Sequence, residues 1–599
     1  MKANEKSLSF LMAEGSVKIP FFQRGYVWSI DNWKDLLEDL LDTRKNAFLG
    51  SVILKQQPVI SGQPKEVLVI DGQQRLTTLS ILLKALYDSL DLEEQASSYN
   101  LLYPMLYYKR NPRDKEDLIK ISHSHIDANS FDKIIRKPIT DSEYDSITVQ
   151  NLDANIMSNH NKILQCYKYY REYFKKSDEH LKTELFDRLL DGNKKILVVI
   201  DLDDTEDEQA IFDTINSAGV RLNGADIIKN ALFQRAIILY GTNNTDVIEL
   251  YNENWSNVFM KDSSTTQFWE ATRQTGRLMR DNIEILLHSI AVINSFFDPD
   301  QHTLSDIPNL YKKHIATMDT SALKSFLGEI ASYAKLYRAK ILTFDNTTLF
   351  TFDNYEQRLF HILNRCEIST FHPYILYLYN EAEKNGTDPK ADLTDLEKFI
   401  LRRMVAKEET KSYNKLCKMF IANKSSVNDY LEKIDTTRIT QGLRAITNKD
   451  AALVLFWIEL HRRSTDMKES IKELKYNYSL EHIMPQKWEE YWGDEHVPYV
   501  DEFNNIKTGS LNKEERQRII YHIGNMTLLN KSLNTSLRNH SFDRKINGEG
   551  LKKGIKAYSD LKITKDIVKS FEDGKTIWNE HNIIKRTKQL EVEFNSIWS

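Results

Sequence analysis

Cysteine, glycine and proline are scarce in this sequence. Its 599 residues include only 3 Cys, 20 Gly and 12 Pro. The cysteines, Cys166, Cys366 and Cys417, lie far apart and form no CxxC pair, so neither a disulfide framework nor a zinc site is expected. With 41% hydrophobic and 28% charged residues, the composition is typical of a folded protein rich in helix.

Long apolar runs are also missing. No stretch approaches the roughly 18–20 uninterrupted apolar residues that a membrane span requires. The N-terminal sequence MKANEKSLSFLMAEGS has too short an apolar run for a signal peptide. We therefore expect a cytoplasmic protein with no membrane partner.

An excess of basic residues, which nucleic-acid binding usually requires, is absent from the chain as a whole. The formal net charge is −5. Between Lys507 and Lys556, however, eleven Lys or Arg stand against four Asp or Glu. Such a run alone is most often a solvated helix face, but here it lies beside polar motifs that suit phosphate chemistry.

The hydrophobic periodicity divides the chain into three regions, in agreement with a length that suits several domains. The first region is predicted to contain helices over 31–44, from after Arg75 to about Leu90, over 208–217 and over 226–239, and strands over 48–54, 67–70 and 196–200. From about 245 to 470 the period is helical and no strands are expected, whereas short strands return after Tyr476. We predict domains over 1–240, 241–470 and 471–599. The middle one is interpreted as a helical connector, with DNA binding or dimerisation as alternatives.

A polar turn follows the strand over 67–70. It consists of Asp71, Gly72, Gln73, Gln74 and Arg75, and an apolar helix follows. Free amides and the dipole at a helix N-terminus favour an anion such as phosphate. No GxxxxGK[ST] loop occurs here, so ordinary P-loop chemistry is not supported. The alternative is a capping turn with a structural arginine.

A second polar cluster lies near the C-terminus, where Glu481 and His482 are followed at a distance by Asn525 and Asn534. Hydrolysis of a phosphodiester needs a base for water and a cation for the charge on phosphate. His482 suits the base, and the oxygens of Glu481 and Asn534 suit Mg²⁺. The alternative is that these are a satisfied strand-end histidine and ordinary turn and cap residues.

The run Glu481-His482-Ile-Met-Pro-Gln, with Asn525 and Asn534, resembles the HNH (His-Me finger) nuclease motif, a β-hairpin and a helix that hold one metal ion. The resemblance implies that His482 is the base, that Asn525 braces the loop, and that Glu481 and Asn534 bind the metal. Many members have Asp at the position of Glu481. Lys545, in the segment RNHSFDRK, would contact a phosphate or be a plain surface lysine.

The N-terminal region also resembles a known family. The segments IPFFQRGYVW, FLGS, DGQQRLTT, IFDTINSAG and DIIKN are similar to those of GmrSD-type modification-dependent (type IV) restriction endonucleases, whose N-terminal domain resembles the ParB and sulfiredoxin folds. That domain binds and often hydrolyses a nucleoside triphosphate. Carried over, the nucleotide-binding residues would be Gln23, Arg24, Asp71, Gly72, Gln73, Gln74, Arg75, Thr77, Asn216, Lys229 and Asn230.

Together these patterns predict a mostly helical α+β multidomain protein with a ParB/sulfiredoxin-like α/β domain, a helical middle region and a ββα-metal HNH module set among helices. The resemblance implies cleavage of modified phage DNA with Mg²⁺ or another divalent cation, regulated by a nucleoside triphosphate. One site per chain leaves nicking or cutting by a homodimer. The alternatives are a nucleotide-gated DNA-binding regulator with an inactive module, and an RNA-directed or unspecific toxin nuclease.

The N-terminal aromatic residues have two interpretations. Phe21, Phe22, Tyr26, Trp28 and Trp33 crowd a short segment of the chain. They form either part of the core or the wall of a pocket that recognises a modified nucleotide by stacking.

Overall fold

The structure is a computed structural model that describes residues 2–42, 48–57, 64–111, 113–123, 127–136, 139–202, 223–241, 245–275, 278–509, 512–572 and 577–599. The chain forms two compact units, Met1–Tyr251 and Asn252–Ser599. Helices account for most of the described residues and strands for a smaller share. The prediction of a mostly helical α+β multidomain protein is therefore confirmed, whereas the division into three domains stays a prediction.

The first unit is built on a six-stranded mixed sheet with the strand order β1-β8-β3-β4-β2-β7. Strands β1 with β8 and β3 with β4 run antiparallel, and the other neighbours run parallel. A separate pair is formed by β5 and β6. The strands are β1 (Lys2–Lys6), β2 (Ser16–Lys18), β3 (Ser51–Gln56), β4 (Glu66–Asp71), β5 (Tyr107–Tyr108), β6 (Leu118–Ile119), β7 (Ile121–Ser122) and β8 (Leu197–Leu202).

Ten helices of the described residues belong to this unit. They are α1 (Phe10–Ala13), α2 (Ile30–Leu41), α3 (Gln73–Tyr87), α4 (Leu92–Leu106), α5 (Ala128–Arg136), α6 (Asp141–Ser146), α7 (Lys162–Lys175), α8 (Glu179–Leu190), α9 (Gly224–Tyr240) and α10 (Thr245–Tyr251). Helix α2 begins with a capping box between Ser29 and Asn32, which satisfies backbone amides at its first turn. Its apolar stripe is buried, so the predicted amphipathic helix is confirmed.

Most of the N-terminal aromatic side chains belong to the core. Phe22 is 6% exposed, Tyr26 6% and Trp33 2%. The indole Nε1 of Trp33 donates to the hydroxyl of Tyr26 at 2.8 Å. Core packing is therefore confirmed for these three, while Phe21 and Trp28 are only partly buried.

The second unit is mainly helical. Its α-helices are α11 (Asn257–Phe259), α12 (Ser263–Glu270), α13 (Asn282–Ile293), α14 (Ile307–Ala316), α15 (Thr320–Lys340), α16 (Tyr355–Arg365), α17 (His372–Asn385), α18 (Lys390–Val405), α19 (Tyr413–Ile421), α20 (Asn428–Leu431), α21 (Thr436–Leu443), α22 (Asn448–Thr465), α23 (Glu489–Trp492), α24 (Asn512–Ile519), α25 (Lys531–Leu537), α26 (Phe542–Asn547), α27 (Ile555–Tyr558), α28 (Lys562–Glu572) and α29 (Glu580–Trp598). A π-helical turn, Asn252–Ser256, and two 3₁₀ turns, Leu304–Asp306 and Ile523–Asn525, complete the helical elements described.

Four short antiparallel pairs lie in this second unit. They join β9 (Thr272–Thr275) with β10 (Leu278–Asp281), β11 (Leu349–Thr351) with β12 (Glu473–Lys475), β13 (Tyr478–His482) with β14 (Met526–Asn530), and β15 (Gly548–Glu549) with β16 (Lys552–Lys553). The expectation of no strands between 245 and 470 is therefore wrong, because β9, β10 and β11 lie there. These strands have three or four residues each, too few for a period of two to stand out against helical neighbours.

The other predicted elements agree with the structure to within a few residues. The strands over 48–54, 67–70 and 196–200 correspond to β3, β4 and β8, and the helices after Arg75 and over 226–239 correspond to α3 and α9, although α3 already begins at Gln73, within the predicted polar turn. The predicted helix over 208–217 lies outside the described residues. None of the helices in the described ranges is long and apolar enough to cross a membrane.

Candidate functional site

The C-terminal polar residues meet at the hairpin of β13 and β14. Glu481 pairs with Thr527 and His482 with Met526, and helix α25 begins directly after β14. Because side chains alternate along a strand, Glu481 and His482 project from opposite faces. Helix α22 packs against both strands, so the hairpin lies within the second unit rather than on a free edge.

His482 is held through both ring nitrogens and is only 8% exposed. Its Nδ1 lies 3.2 Å from the carbonyl oxygen of Ile520, which can only accept, so Nδ1 carries the hydrogen. Burial, with a smaller contribution from the charge of Lys545, lowers the pKa of His482 to about 4. At neutral pH the imidazole is therefore uncharged, and Nε2 has a lone pair that can accept a proton.

The other partner of His482 is Asn448, at the first turn of α22. Its Oδ1 lies 3.0 Å from Nε2 of His482. Two acceptors cannot share a hydrogen, but rotating the amide by 180° exchanges oxygen and nitrogen without moving the side chain. With its nitrogen towards the ring, Asn448 donates to the lone pair of Nε2. The basic nitrogen of His482 is thus covered by a side chain that the sequence patterns did not single out.

Asn525 is fully buried and uses both ends of its amide. Its Oδ1 accepts from the backbone nitrogen of Met484 at 2.9 Å and from Nε1 of Trp578 at 3.2 Å. Its Nδ2 donates to the carbonyl oxygens of Met484 at 2.8 Å and Ile520 at 3.0 Å. Because Ile520 also accepts from His482, Asn525 fixes the carbonyl group that orients the imidazole.

Glu481 and Lys545 form a buried ion pair. The ammonium Nζ of Lys545 lies 2.5 Å from Oε1 of Glu481 and donates to the carbonyl oxygen of His482 at 2.8 Å. The side chain of Lys545 is 0% exposed and that of Glu481 is 12% exposed. Burial raises the pKa of Glu481 and lowers the pKa of Lys545. Lys545 is therefore not a surface lysine, and in this arrangement its charge faces a carboxylate rather than a phosphate.

Asn534 lies on α25 and is tied to the neighbouring strand. Its Nδ2 donates to Oγ of Ser479 at 2.9 Å and to the carbonyl oxygen of Leu480 at 2.8 Å. The amide nitrogen therefore faces β13, which leaves Oδ1 as the end that could bind another group.

The residues predicted to bind Mg²⁺ do not fit a metal ion as they are arranged. Their single carboxylate, Glu481, is already neutralised by Lys545, and Asn534 offers one amide oxygen. Mg²⁺ prefers carboxylate oxygens and retained waters in octahedral geometry. Among the described residues, no group of three or more His, Cys, Asp or Glu side chains could hold a metal ion.

A cavity of about 670 Å³ lies beside Asn448, Tyr521 and His522. The ring of Tyr521 is also 5.9 Å from the ring of His482 and nearly perpendicular to it. The cavity is lined in addition by Arg444, Gln486 and Arg518. Arg518, Tyr521 and His522 lie within the segment over 507–556, and Gln486 ends the run that begins at Glu481, whereas Arg444 and Asn448 lie in the stretch interpreted as a connector, where no sequence pattern indicated a site.

The N-terminal polar turn connects β4 to α3. Gly72 has φ +89°, and a Cβ there would lie 3.0 Å from the carbonyl oxygen of Ser51 and from the backbone of Val52. Glycine is favoured at such a left-handed position with close backbone contact. Since Gly72 has no side chain, it provides no side-chain cap for helix α3, which begins at Gln73; the first amides of a helix favour an anion.

Three glutamine side chains of the predicted nucleotide site bind backbone carbonyl groups. Gln23, Gln73 and Gln74 donate from Nε2, at 2.8, 3.2 and 3.1 Å, to the carbonyl oxygens of Val69, Arg24 and Gly25 respectively. These contacts hold the segment around residues 23–25 against the end of β4 and the start of α3. The glutamines therefore shape the turn and leave ligand contacts to its backbone and charged residues.

The charged residues of the turn are Asp71 and Arg75, and the charge of Arg24 lies near Asp71. Nη1 of Arg75 donates to the carbonyl oxygen of Ser51 at 2.8 Å. Its guanidinium lies over Gly50, where φ is +104° and a Cβ would be only 2.6 Å from the guanidinium carbon. Burial raises the pKa of Asp71, while the charges of Arg75 and Arg24 act against that rise. Burial lowers the pKa of Arg75.

Thr77 lies one turn into α3. Its hydroxyl donates to the carbonyl oxygen of Gln73 at 2.7 Å and lies 2.9 Å from Nε2 of His123. Burial lowers the pKa of His123 to about 3, so this imidazole is neutral. Thr77 thus links α3 to the segment that follows β7.

The second predicted nucleotide motif is only partly described. Lys229 is 3% exposed, and its Nζ donates to Oδ1 of Asp226 at 2.7 Å. Oδ1 of Asn230 is a buried acceptor with no partner among the described residues. Both lie on α9, whereas Asn216 lies outside the described residues.

Two family models match the chain. Residues 7–233 match the N-terminal domain and residues 428–591 the C-terminal domain of the GmrSD restriction endonucleases. The class of protein is thus that of the restriction endonucleases, and the chain belongs to the GmrSD family. It is also similar to an uncharacterized protein of Methanocaldococcus jannaschii, with 24% identity over 249 residues, which are 36% of this chain and 39% of the relative.

Proposed function

We propose that this protein is an endonuclease that hydrolyses DNA at the β13–β14 hairpin with His482 as general base. One observation carries the proposal: His482 is neutral, its Nδ1 hydrogen is fixed by Ile520, and its basic Nε2 faces Asn448 at the wall of a cavity. Family membership supports the substrate and the reaction class. A base fixed in this tautomer contributes typically about 10²–10⁴-fold to a rate.

In the proposed reaction, Nε2 of His482 takes a proton from water. The water oxygen forms a bond to phosphorus, and the bond from phosphorus to one sugar oxygen breaks. The sugar oxygen then takes a proton from solvent. Ile520 keeps the imidazole in the tautomer that can accept, and Asn525 holds Ile520 in place.

We further propose that the hairpin and α25 form the ββα arrangement of an HNH module. The order of strand, strand and helix, and the buried bracing by Asn525, support this interpretation. The proposal includes a divalent cation, with Mg²⁺ as the first choice, near Glu481 and Asn534. It requires Lys545 to release Glu481, so no step of the reaction is assigned to the ion.

For the first unit we propose a ParB/sulfiredoxin-like domain that binds a nucleoside triphosphate at the Asp71–Arg75 turn. The uncapped start of α3 and the guanidinium groups of Arg24 and Arg75 support this role, because both attract phosphate oxygens. Binding or hydrolysis of the nucleotide would license cleavage of modified phage DNA. Nicking by one chain or cutting by a homodimer are both compatible with one hairpin site.

The test compares wild type with His482→Ala on plasmid and modified phage DNA, with Mg²⁺ and each nucleoside triphosphate. We expect cleavage by wild type, and a fall of about 10²–10⁴-fold in the variant with nucleotide binding unchanged. The exposed histidine variant His496→Ala is the matched control and should cut normally. Cleavage retained by His482→Ala would contradict the assignment of the base.

A second function has one observation in its favour. The ion pair of Lys545 with Glu481 occupies the carboxylate that a metal would need, which suits a nucleotide-gated DNA-binding regulator with an inactive hairpin. Such a regulator would bind DNA in a nucleotide-dependent way and cut none under any divalent cation. An RNA-directed toxin would instead cut RNA in the same assay.

A further inference from the structure

The cavity beside Asn448 is lined by positively charged side chains, although the net charge of the protein is −5. Its wall contains the guanidinium groups of Arg444 and Arg518 and no acidic side chain. Both arginines are exposed, and neither has an ion-pair partner within the described ranges. An unpaired guanidinium suits phosphate because it offers several donors in a fixed plane.

The arginines differ in this respect from most of the basic run over 507–556. Six basic residues of that run form ion pairs, namely Lys507, Lys513, Arg516, Arg544, Lys545 and Lys556. Much of the positive charge counted in the sequence is therefore paired with a carboxylate, inside the protein for Arg516 and Lys545 and at its surface for the other four. Arg518 is not, although it lies on the same helix as the buried Arg516.

Two further features of the wall favour an anion. Thr447 and Asn448 are the N-cap and first residue of α22, a helix of 18 residues, whose N-terminus carries partial positive charge. The Nδ1 atom of His522 is buried and has no partner among the described residues. The cavity volume of about 670 Å³ falls in the range of ligand sites, about 300–1,000 Å³.

We propose that this cavity binds a phosphate of the DNA backbone, with Arg444 and Arg518 as its ligands. The inference rests on the proposed function and deepens it, because Asn448 separates the cavity from Nε2 of His482 by a single contact of 3.0 Å. DNA in the cavity would lie next to the base, and Asn448 would release Nε2 as water and phosphate enter. Asn448 thus covers the base until DNA binds, and the two arginines are binding residues.

The experiment measures binding of a fluorescent duplex DNA of about 30 base pairs by anisotropy at several salt concentrations. Backbone binding does not depend on sequence, so an unmodified duplex is a suitable probe. All proteins are full-length and carry His482→Ala, so that the probe remains intact. The variants are Arg444→Gln, Arg518→Gln and their combination, and the control is Arg438→Gln, an exposed arginine of α21 outside the cavity.

We expect each arginine change to weaken binding about tenfold and to reduce the slope of log K against log salt by about 1, and the double variant to reduce it by about 2. With His482 intact, KM should rise while kcat stays within about threefold. Thermal melting is the control for folding, and we expect the variants at these exposed positions to melt at the same temperature as their parent.

Three results would overturn the proposal. The double variant could bind as tightly as its parent with the same salt slope, or Arg438→Gln could weaken binding equally. Duplex RNA could also compete better than DNA, which would assign the cavity to RNA. If the His482→Ala parent binds no DNA and wild type cuts none, both the proposed function and this inference are wrong. If wild type cuts DNA but the arginine variants bind it as tightly as their parent, only this inference is wrong.

Discussion

The two polar sites use the same kinds of side chain in opposite ways. In the first unit, the amides of Gln23, Gln73 and Gln74 all bind backbone carbonyl groups and shape the turn that joins β4 to α3. In the second unit, Asn525 braces the backbone, but Asn448 covers a titratable nitrogen. A rigid turn is suited to binding an anion, whereas a covered base is suited to a reaction that begins when the cover moves.

The charged side chains of the two sites also differ in how far they are buried. The charges of Arg75 and Arg24 both lie near the carboxylate of Asp71, at a turn where Asp71 and Arg75 are only partly buried. Lys545 and Glu481, in contrast, form a closed pair with almost no exposure. We infer that removing the charge of Arg75 changes only the affinity for a nucleotide. Removing one charge of the pair between Glu481 and Lys545 should instead lower the stability of the fold.

The largest effect on stability is therefore expected from Lys545→Met. This change leaves the carboxylate of Glu481 buried and unpaired, and breaking one side of a buried pair typically costs about 3–5 kcal/mol. Chemical denaturation of the full-length protein measures the loss. The double variant Glu481→Gln with Lys545→Met should recover most of it, and Lys552→Met, at an exposed lysine, should change little. Equal stability of Lys545→Met and wild type would show that the pair is open in solution.

Arg75→Gln should have a smaller effect, confined to nucleotide binding. Removing one charged hydrogen-bond donor to phosphate typically costs about 1.5–3 kcal/mol, or roughly 10–100-fold in affinity. Titration calorimetry with ATP and GTP measures the loss, and the exposed residue Arg110, changed to Gln, is the control. Gly50→Ala should weaken binding too, because its Cβ would displace the guanidinium while leaving the charge. Unchanged affinity in both variants would remove Arg75 from the site.

Local patterns predicted six elements of the first unit, namely α2, α3, α9, β3, β4 and β8, but not its shorter strands and its other described helices. The apolar spacing of Trp33, Leu36, Leu37 and Leu40 predicts α2, and the strand before Asp71 ends where its polar run begins. Such elements are set by periodicity and turn residues that are close in sequence. The polar cluster of Glu481, His482, Asn525 and Asn534 was also found from its sequence, because the hairpin joins strands with recognisable motifs.

Local sequence patterns could not predict contacts between residues that are far apart in the sequence. Asn448 precedes His482 by 34 residues in a stretch interpreted as a connector, and only packing of α22 on the hairpin brings the two together. In the same way, the count of basic residues did not reveal that Arg516 pairs with Glu580, 64 residues away. Burial of a charge depends on its partner in space, and no periodicity in one sequence contains that information.

The smallest predicted effect shows whether Asn448 only blocks Nε2 of His482 or also holds the imidazole ring in place. Asn448→Ala removes one neutral hydrogen bond to Nε2, worth about 0.5–1.5 kcal/mol. If Ile520 alone orients the imidazole, single-turnover cleavage should be equal to wild type or up to about tenfold faster, with DNA affinity unchanged. A fall of more than about tenfold would instead mean that Asn448 holds the ring in place. Asn448→Gln restores an amide on a longer side chain. If the hydrogen bond to Nε2 limits the reaction, the cleavage rate of this variant should lie between the rates of Asn448→Ala and wild type.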